Sequence, residues 1–246
     1  MKKTILSLCA VLFLAVGCSK SEPATLQFES KTYQANEGDK AKIKLAVLEA
    51  KGNEESAKSF NAAVLTMLKE IIYFGEKPFG STSYQALAND FVQAYRDLKQ
   101  EFPQDSFGFE ADVKSAIAYQ DEHRINLVMD HYTYTGGAHG YGTTTSLHFD
   151  AQTGKQVSVK QFFSDWNGLV KLAEAKFRAQ HQLEANSSLN EGGFMFEDDQ
   201  FWLSENMQYD AKGLTVIYNP YDIAAYVEGV IKLELTPAEI APYIKN

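Results

Sequence analysis

The sequence predicts an α+β protein in which an antiparallel meander packs with helices, the helices being concentrated in the N-terminal half. Two observations carry that class. Up to Pro103 the clearest apolar patterns recur at three- and four-residue steps, whereas from Phe107 onward they alternate. In addition, no strand, glycine-rich loop and helix follow one another as a nucleotide-binding α/β unit requires.

The elements follow in order. Leu26 to Tyr33 reads as an edge strand, and Lys40 to Leu48 as a second, with Ile43, Leu45 and Val47 on one face and Gly38-Asp39 turning between them. From Ser56, the residues Phe60, Val64, Met67, Leu68 and Ile71 share a helical stripe that ends before Gly75 and Pro78. A second stripe joins Tyr84, Leu87, Phe91, Tyr95, Leu98 and Phe102, with Ser81, Thr82 and Ser83 offering N-caps and Pro103 stopping it. Aromatics at helical spacing are core residues far more often than a cofactor box.

The period then changes to two. Phe107 to Gln120 alternates as a half-buried antiparallel strand, Asp121 to His123 turns it into Arg124–Thr135, and Gly136 to Gly140 turns that into Thr143–Asp150. Gln152-Thr153-Gly154 makes another turn before a helix from Asp165 to Leu183. Asn186 to Gly193 is a polar loop, Leu214–Tyr218 and Val230–Leu235 are the last strands, and Pro237 to Ile244 closes as a short helix with proline early. In domain terms this gives residues 1–17 as a lipoprotein signal peptide, 18–24 as a lipidated tether, 25–125 as an N-terminal α+β part and 126–246 as a C-terminal module packed with it as one unit.

Composition sets the compartment. Lys2 and Lys3 precede a mostly apolar run, and Ala15-Val16-Gly17-Cys18 ends it with small residues before a cysteine. That is the layout of an export signal, too short to span a bilayer, and it resembles the lipobox at which bacterial lipoproteins are acylated. Ala15 stands where leucine is usual. Cleavage would leave Cys18 as the lipid attachment site, remove the other cysteine, Cys9, and take the formal charge from −9 to −11 by loss of two lysines. Disulfide, redox and Cys-ligated metal chemistry then fall away. An acidic chain without a Lys/Arg cluster also argues against nucleic-acid binding. The expectation is a cell-envelope protein held at the membrane by its lipid, at the outer membrane in a Gram-negative cell because Ser19 follows the cysteine.

Three features compete for a functional role. The five histidines are His123, His131, His139, His148 and His181. Pairing His131 with Leu147 about a turn near His139 points the central three in different directions, so no metal is expected, and His148 is expected beside Asp130 as a surface contact. Glu197-Asp198-Asp199 lies among Phe194, Phe196, Phe201 and Trp202, which allows a glycan-active hydrolase, although neighbouring carboxylates seldom flank one bond from both sides. There is no Gly-x-Ser-x-Gly or Ser-x-x-Lys, so no serine nucleophile is marked. Finally, Gly136, Gly137, Gly140 and Gly142 exceed the needs of one tight turn, with Tyr132, Tyr134 and Tyr141 around them. Tyr134, Gly136, Gly137, His139 and Tyr141 are the ligand-binding candidates.

Gly136-Gly137-Ala138-His139, Leu147-His148-Phe149-Asp150, Thr153-Gly154-Lys155, Phe162-Phe163, the run Tyr218 to Tyr226 and Gly229 resemble a family of bacterial extracytoplasmic domains of largely unknown function. The same module is similar to the extracellular part of RsiV-type anti-sigma factors and to the N-terminal region of PdaC-type peptidoglycan deacetylases. The resemblance is clearest over residues 130 to 246. It implies a module that binds lysozyme in the RsiV type and is associated with the cell wall in both. The sigma-binding segment with its membrane helix, and the Asp-Asp and His-x-x-x-His zinc signature of the deacetylases, have no counterpart in this sequence. The expectation is therefore a non-enzymatic lipoprotein without cofactor, binding a lysozyme-like muramidase or peptidoglycan, against the alternatives of a hydrolase using Glu197, Asp198 or Asp199 and a purely structural envelope protein.

Overall fold

A computed structural model describes residues 25–52, 54–104 and 107–245. The export segment, Cys18 and the tether lie outside the described residues. Among the described residues, no helix is long and apolar enough to cross a membrane.

The chain is α+β, with two sheets and two apolar cores. Strands β1 (Gln27–Glu37) and β2 (Ala41–Lys51) form a hairpin across Gly38, which takes φ +54°. Helices α1 (Glu54–Ile71) and α2 (Tyr84–Glu101) follow, and Ser83 is the N-cap of α2, accepting from Ala86 N. They carry the chain back across the sheet, so β3 (Phe109–Gln120) pairs parallel to β2. That parallel pair departs from the simple meander read from alternation, which reports a strand's faces and not the direction of its neighbour; a long helical connection supplies the return that parallel pairing needs. From β3 onward the meander is as expected, with β4 (Arg124–Tyr134), β5 (Tyr141–Asp150) and the two-residue β6 (Gln156–Val157) completing a six-stranded sheet.

Alternation decides what each face does. Ile43, Leu45, Val47, Val113, Leu127, Met129, Leu147 and Phe149 point to the helices and are buried with Phe60, Val64, Leu87 and Phe91. Over β4 and β5 the other face is buried too, through Asn126, Val128, Ser146 and His148. What covers it is the second lobe.

That lobe is built from α3 (Trp166–Gln180), a three-stranded antiparallel sheet of β7 (Met207–Asp210), β8 (Gly213–Tyr218) and β9 (Ile231–Leu235), and α4 (Pro237–Ile240). Asp165 caps α3 by accepting from Gly168 N at 2.8 Å, and Thr236 with Glu239 forms a capping box on α4. Leu169, Ala173, Phe177, Val216, Tyr218, Leu233 and Ile240 make its core. The cores change over between Ala151 and Val159, so residue 125 lies inside the β3–β4 hairpin rather than between lobes. Strand β7, absent from the sequence reading, is four residues long, too short for alternation to reveal. It is also the strand that touches β3 and β4.

Candidate functional site

The two lobes are joined by side-chain amides. Asn126, 1% exposed on β4, donates from Nδ2 to Ser146 Oγ (2.7 Å) and Leu147 O (3.2 Å), and accepts at Oδ1 from Tyr209 N (2.8 Å). Asn206 accepts from Ser146 N (2.8 Å) and donates to Thr144 O (2.7 Å), while Asn219 accepts from Thr144 N (3.0 Å) and donates to the same carbonyl (3.1 Å). The outer edge of β5 is thus satisfied by two asparagines where a sheet would place a strand. Rings reinforce the seam: Tyr119 meets Tyr209 edge-on at 4.7 Å, and the Arg124 guanidinium lies 5.1 Å from the Tyr209 ring centre and 5.4 Å from that of Phe162.

At one end of this seam the glycine-rich hairpin locks onto the loop after β8. Tyr141 Oη donates to Pro220 O and Tyr226 Oη to Gly140 O, each at 2.8 Å. His139 stacks on Tyr226 with centres 4.1 Å apart and also donates from Nδ1 to Gly140 O. Tyr221 lies over Tyr141 (6.4 Å, 19°) and against Tyr226 (5.6 Å). The hairpin therefore folds onto the second lobe instead of projecting as a free ribbon. Burial and the nearby Asp222 charge raise the Tyr141 phenol above its ordinary range, and burial raises the Asp222 carboxyl.

The glycines divide between two jobs. Gly136 and Gly137 take φ +106° and +92° in the turn, and Tyr134 closes it by donating to Gly137 O. At Gly140 a Cβ would sit 2.2 Å from Tyr132 Oη, so glycine is required for the ring to lie over the backbone. The resulting surface is open: Tyr221 is 58% exposed, Val227 further along the same loop is 85% exposed, and Tyr132, over Gly140 on the hairpin, is exposed as well. Tyr221 is also held at φ +74°, a left-handed backbone that bulky residues rarely adopt.

Of the candidates, His139 and Tyr141 are brought together in this interlock, Gly136 and Gly137 shape it, and Tyr134 serves the turn. For Tyr221 and Tyr226 the signal in the sequence is the Tyr218–Tyr226 run that carries the family resemblance, and Val227, one residue beyond it, has none. The histidine reading needs correction in register. His131 pairs with Thr143, not Leu147, because the turn centres near Gly137. A shift of four residues preserves the faces, so His131 and His148 still point oppositely, but Asp130 now opposes Thr144 and accepts from its hydroxyl at 2.8 Å. His148 opposes Asn126 and is buried under β7, with Nε2 2.9 Å from Met207 O. It is an internal residue, not a surface partner of Asp130. Desolvation pushes the pKa values of His148 and His131 down to about 4. Among the described residues, no three His, Cys, Asp or Glu side chains converge.

Glu197, Asp198 and Asp199 occupy one turn in which Asp198 and Asp199 have positive φ. Asp199 accepts from Ser188 Oγ (2.8 Å) and Asn190 N (3.1 Å), and so closes the preceding loop. Phe194, Phe196 and Phe201 pack on Phe177, which makes them anchors of the second core. Trp202, 41% exposed, stands edge-on to Tyr218.

Fold and seam together define a two-lobed α+β protein whose lobes meet along one sheet edge. Residues 34–141 match the family model described as deacetylase PdaC, and residues 162–238 match that described as protein of unknown function DUF3298. Both directions of the resemblance are thereby found, and the PdaC match lies mostly before residue 130, where the resemblance is less clear, and ends on the Gly136–His139 motif. The interlock joins them, since Gly140 and Tyr141 end one match and Pro220 and Tyr226 lie in the other. A DUF3298 family member from Bacteroides fragilis NCTC 9343 superposes with a TM-score of 0.68 at 19% identity, covering 92% of this chain and 96% of that one. A DUF3298 family protein from Pseudomonas aeruginosa PAO1 gives 0.57 at 14% identity, over 93% and 97%. The chain shares their fold. No curated protein matches it.

Proposed function

We propose that this protein is a non-catalytic binding module of the cell envelope, anchored through Cys18, which takes its ligand on the aromatic surface formed by the hairpin and the loop after β8. One observation carries the reading: Tyr221 is exposed yet held by Tyr141 and Tyr226 in a strained conformation. A rigid, outward tyrosine loses little entropy on binding and is, with tryptophan and arginine, one of the residue types enriched at interface hot spots. The leading partner is a lysozyme-like muramidase. The formal charge of −9, or −11 after signal removal, favours encounter with a strongly cationic protein. Peptidoglycan is the other ligand to test on the same surface.

Immobilised lysozyme at low salt should retain the soluble domain and release it as salt rises. Tyr221→Ala and His139→Ala should each weaken retention about tenfold, the cost of one interface contact worth roughly 1.4 kcal/mol, while far-UV circular dichroism stays unchanged. No retention at low salt removes the muramidase, and no pelleting with peptidoglycan sacculi removes the wall ligand. Loss of fold in His139→Ala would make the interlock purely structural. Anchoring is tested separately, by palmitate labelling that Cys18→Ser should abolish.

A further inference from the structure

Along the edge of β5, between the end of β6 and the Asn206–Asn219 clamp, lies a crevice of about 360 Å³ bordered by Met67, Leu147, His148, Gln156, Ser158 and Glu205 among others. This is within the size range of small-ligand sites. It is separate from the tyrosine surface, and nothing in the proposed binding role uses it.

His148 gives the crevice a defined chemistry. The residue is 5% exposed, and its Nε2 faces the carbonyl of Met207 at 2.9 Å. A carbonyl only accepts, so Nε2 carries the proton and Nδ1 of the neutral ring is left as a bare acceptor. Nδ1 has no hydrogen-bond partner among the described residues, and none of their sealed side-chain nitrogens or oxygens lacks one, so Nδ1 reaches open space. The open space that His148 borders is this crevice. A buried histidine with its tautomer fixed from behind and its lone pair unclaimed in front presents a site for a hydrogen-bond donor.

The remaining wall selects the donor's charge. Glu205 has one carboxylate oxygen on Lys160 Nζ and the other on Ser158 Oγ, each at 2.8 Å, so its charge and both its oxygens are engaged. A cation would have to displace Lys160. An anion would face both this carboxylate and the lone pair. Met67 and Val157 contribute apolar surface and Gln156 an exposed amide. We propose that this crevice binds a small neutral molecule bearing hydroxyl groups and an apolar face, of the chemistry and size of a pyranose, with a hydroxyl donating to His148 Nδ1.

The test uses the described domain labelled with ¹⁵N and titrated with methyl β-glucopyranoside to about 100 mM, past the millimolar affinity expected for so few atoms. The expected result is a saturable shift of the His148 Nδ1 resonance, with the Ser146 and Val157 amides following. Methylammonium and acetate should give none. His148→Phe, which removes the acceptor, should weaken binding about tenfold. Because that variant also removes one of the two donors to Met207 O, the other being Ser146 Oγ, Gln156→Trp serves as a second one, filling the crevice from an exposed position and abolishing the shift in a folded domain. Absence of a saturable shift, an equal response to methylammonium, or undiminished binding by Gln156→Trp would each overturn the proposal. None of these outcomes bears on retention by lysozyme, which reads the other surface.

Discussion

Replacing Asn126 with alanine tests whether the lobes are one energetic unit. The side chain is 1% exposed and makes three hydrogen bonds, to Ser146 Oγ, to Leu147 O and from Tyr209 N. Alanine removes all three and leaves the Tyr209 N–H without a partner, while the Leu147 carbonyl keeps its place in the ladder opposite Leu127. One unsatisfied group costs about 1–3 kcal/mol and each of the other lost bonds about 0.5–1.5 kcal/mol, so the expected loss is about 3 kcal/mol. For a protein of this size that lowers Tm by roughly 6–12 °C. The two tryptophans, Trp166 and Trp202, both lie in the second lobe, so fluorescence follows that lobe alone while far-UV circular dichroism follows both. In the wild type the two denaturation curves should coincide. In Asn126→Ala both should move to lower denaturant, the fluorescence curve at least as far as the other. A change below about 1 kcal/mol by both probes would refute the argument, because the amide would then be bridging groups that water serves equally well.

Further expectations can be checked on the same domain. Below pH 6.5 stability should fall until about pH 4, because His131 and His148 have folded pKa values of about 4 and the unfolded chain takes up their protons first; each contributes about 3 kcal/mol, and urea titrations should show a shallower decline in His148→Phe. A second acid loss belongs below pH 4.5, where Glu239, held down to about 2 by Lys176, gives up its ion pair on protonation. Gly154→Ala should be among the costliest glycine changes, since its Cβ would stand 2.0 Å from Ser56 O at φ +64°. Gly136→Ala, with nothing within 4 Å, should cost only the backbone term of about 1 kcal/mol; comparable Tm values for the two would contradict this. Tyr221→Gly should hold or raise Tm by relieving φ +74° while weakening ligand capture about tenfold, as Tyr221→Ala does.

Much of the fold was legible because the periodicities were strong. The Tyr84–Phe102 stripe starts with α2 and runs one residue past its end, Ser83 does cap it, and Ile43, Leu45 and Val47 are all buried. What escaped was whatever depended on a partner. The parallel β2–β3 pair and the burial of His148 are set by chain segments some fifty residues away or more, the four-residue β7 is too short to show a period, and local alternation contains no record of them. The hairpin register went astray for a narrower reason. Two consecutive glycines with positive φ moved the turn centre from His139 toward Gly137, which changes every pairing while leaving every face intact.

That distinction also explains why the candidate site was seen only in half. Glycine surplus identifies a hairpin that does something unusual, but the reason lies in Tyr132 over Gly140 and in Pro220 and Tyr226 on a loop about eighty residues later. The asparagines point the same way. Asn126, Asn206 and Asn219 are unremarked polar residues in sequence, yet Asn206 and Asn219 supply the hydrogen bonds that a further strand on β5 would have made and Asn126 ties β4 to Tyr209 N. Side-chain amides leave gaps that a strand would have filled, and the crevice beside His148 is such a gap. A seam closed in this way holds the two lobes in register without sealing the edge between them. The rigid tyrosine surface at its end and the open acceptor along its length are therefore consequences of one construction, and variants that loosen the seam should disturb both together.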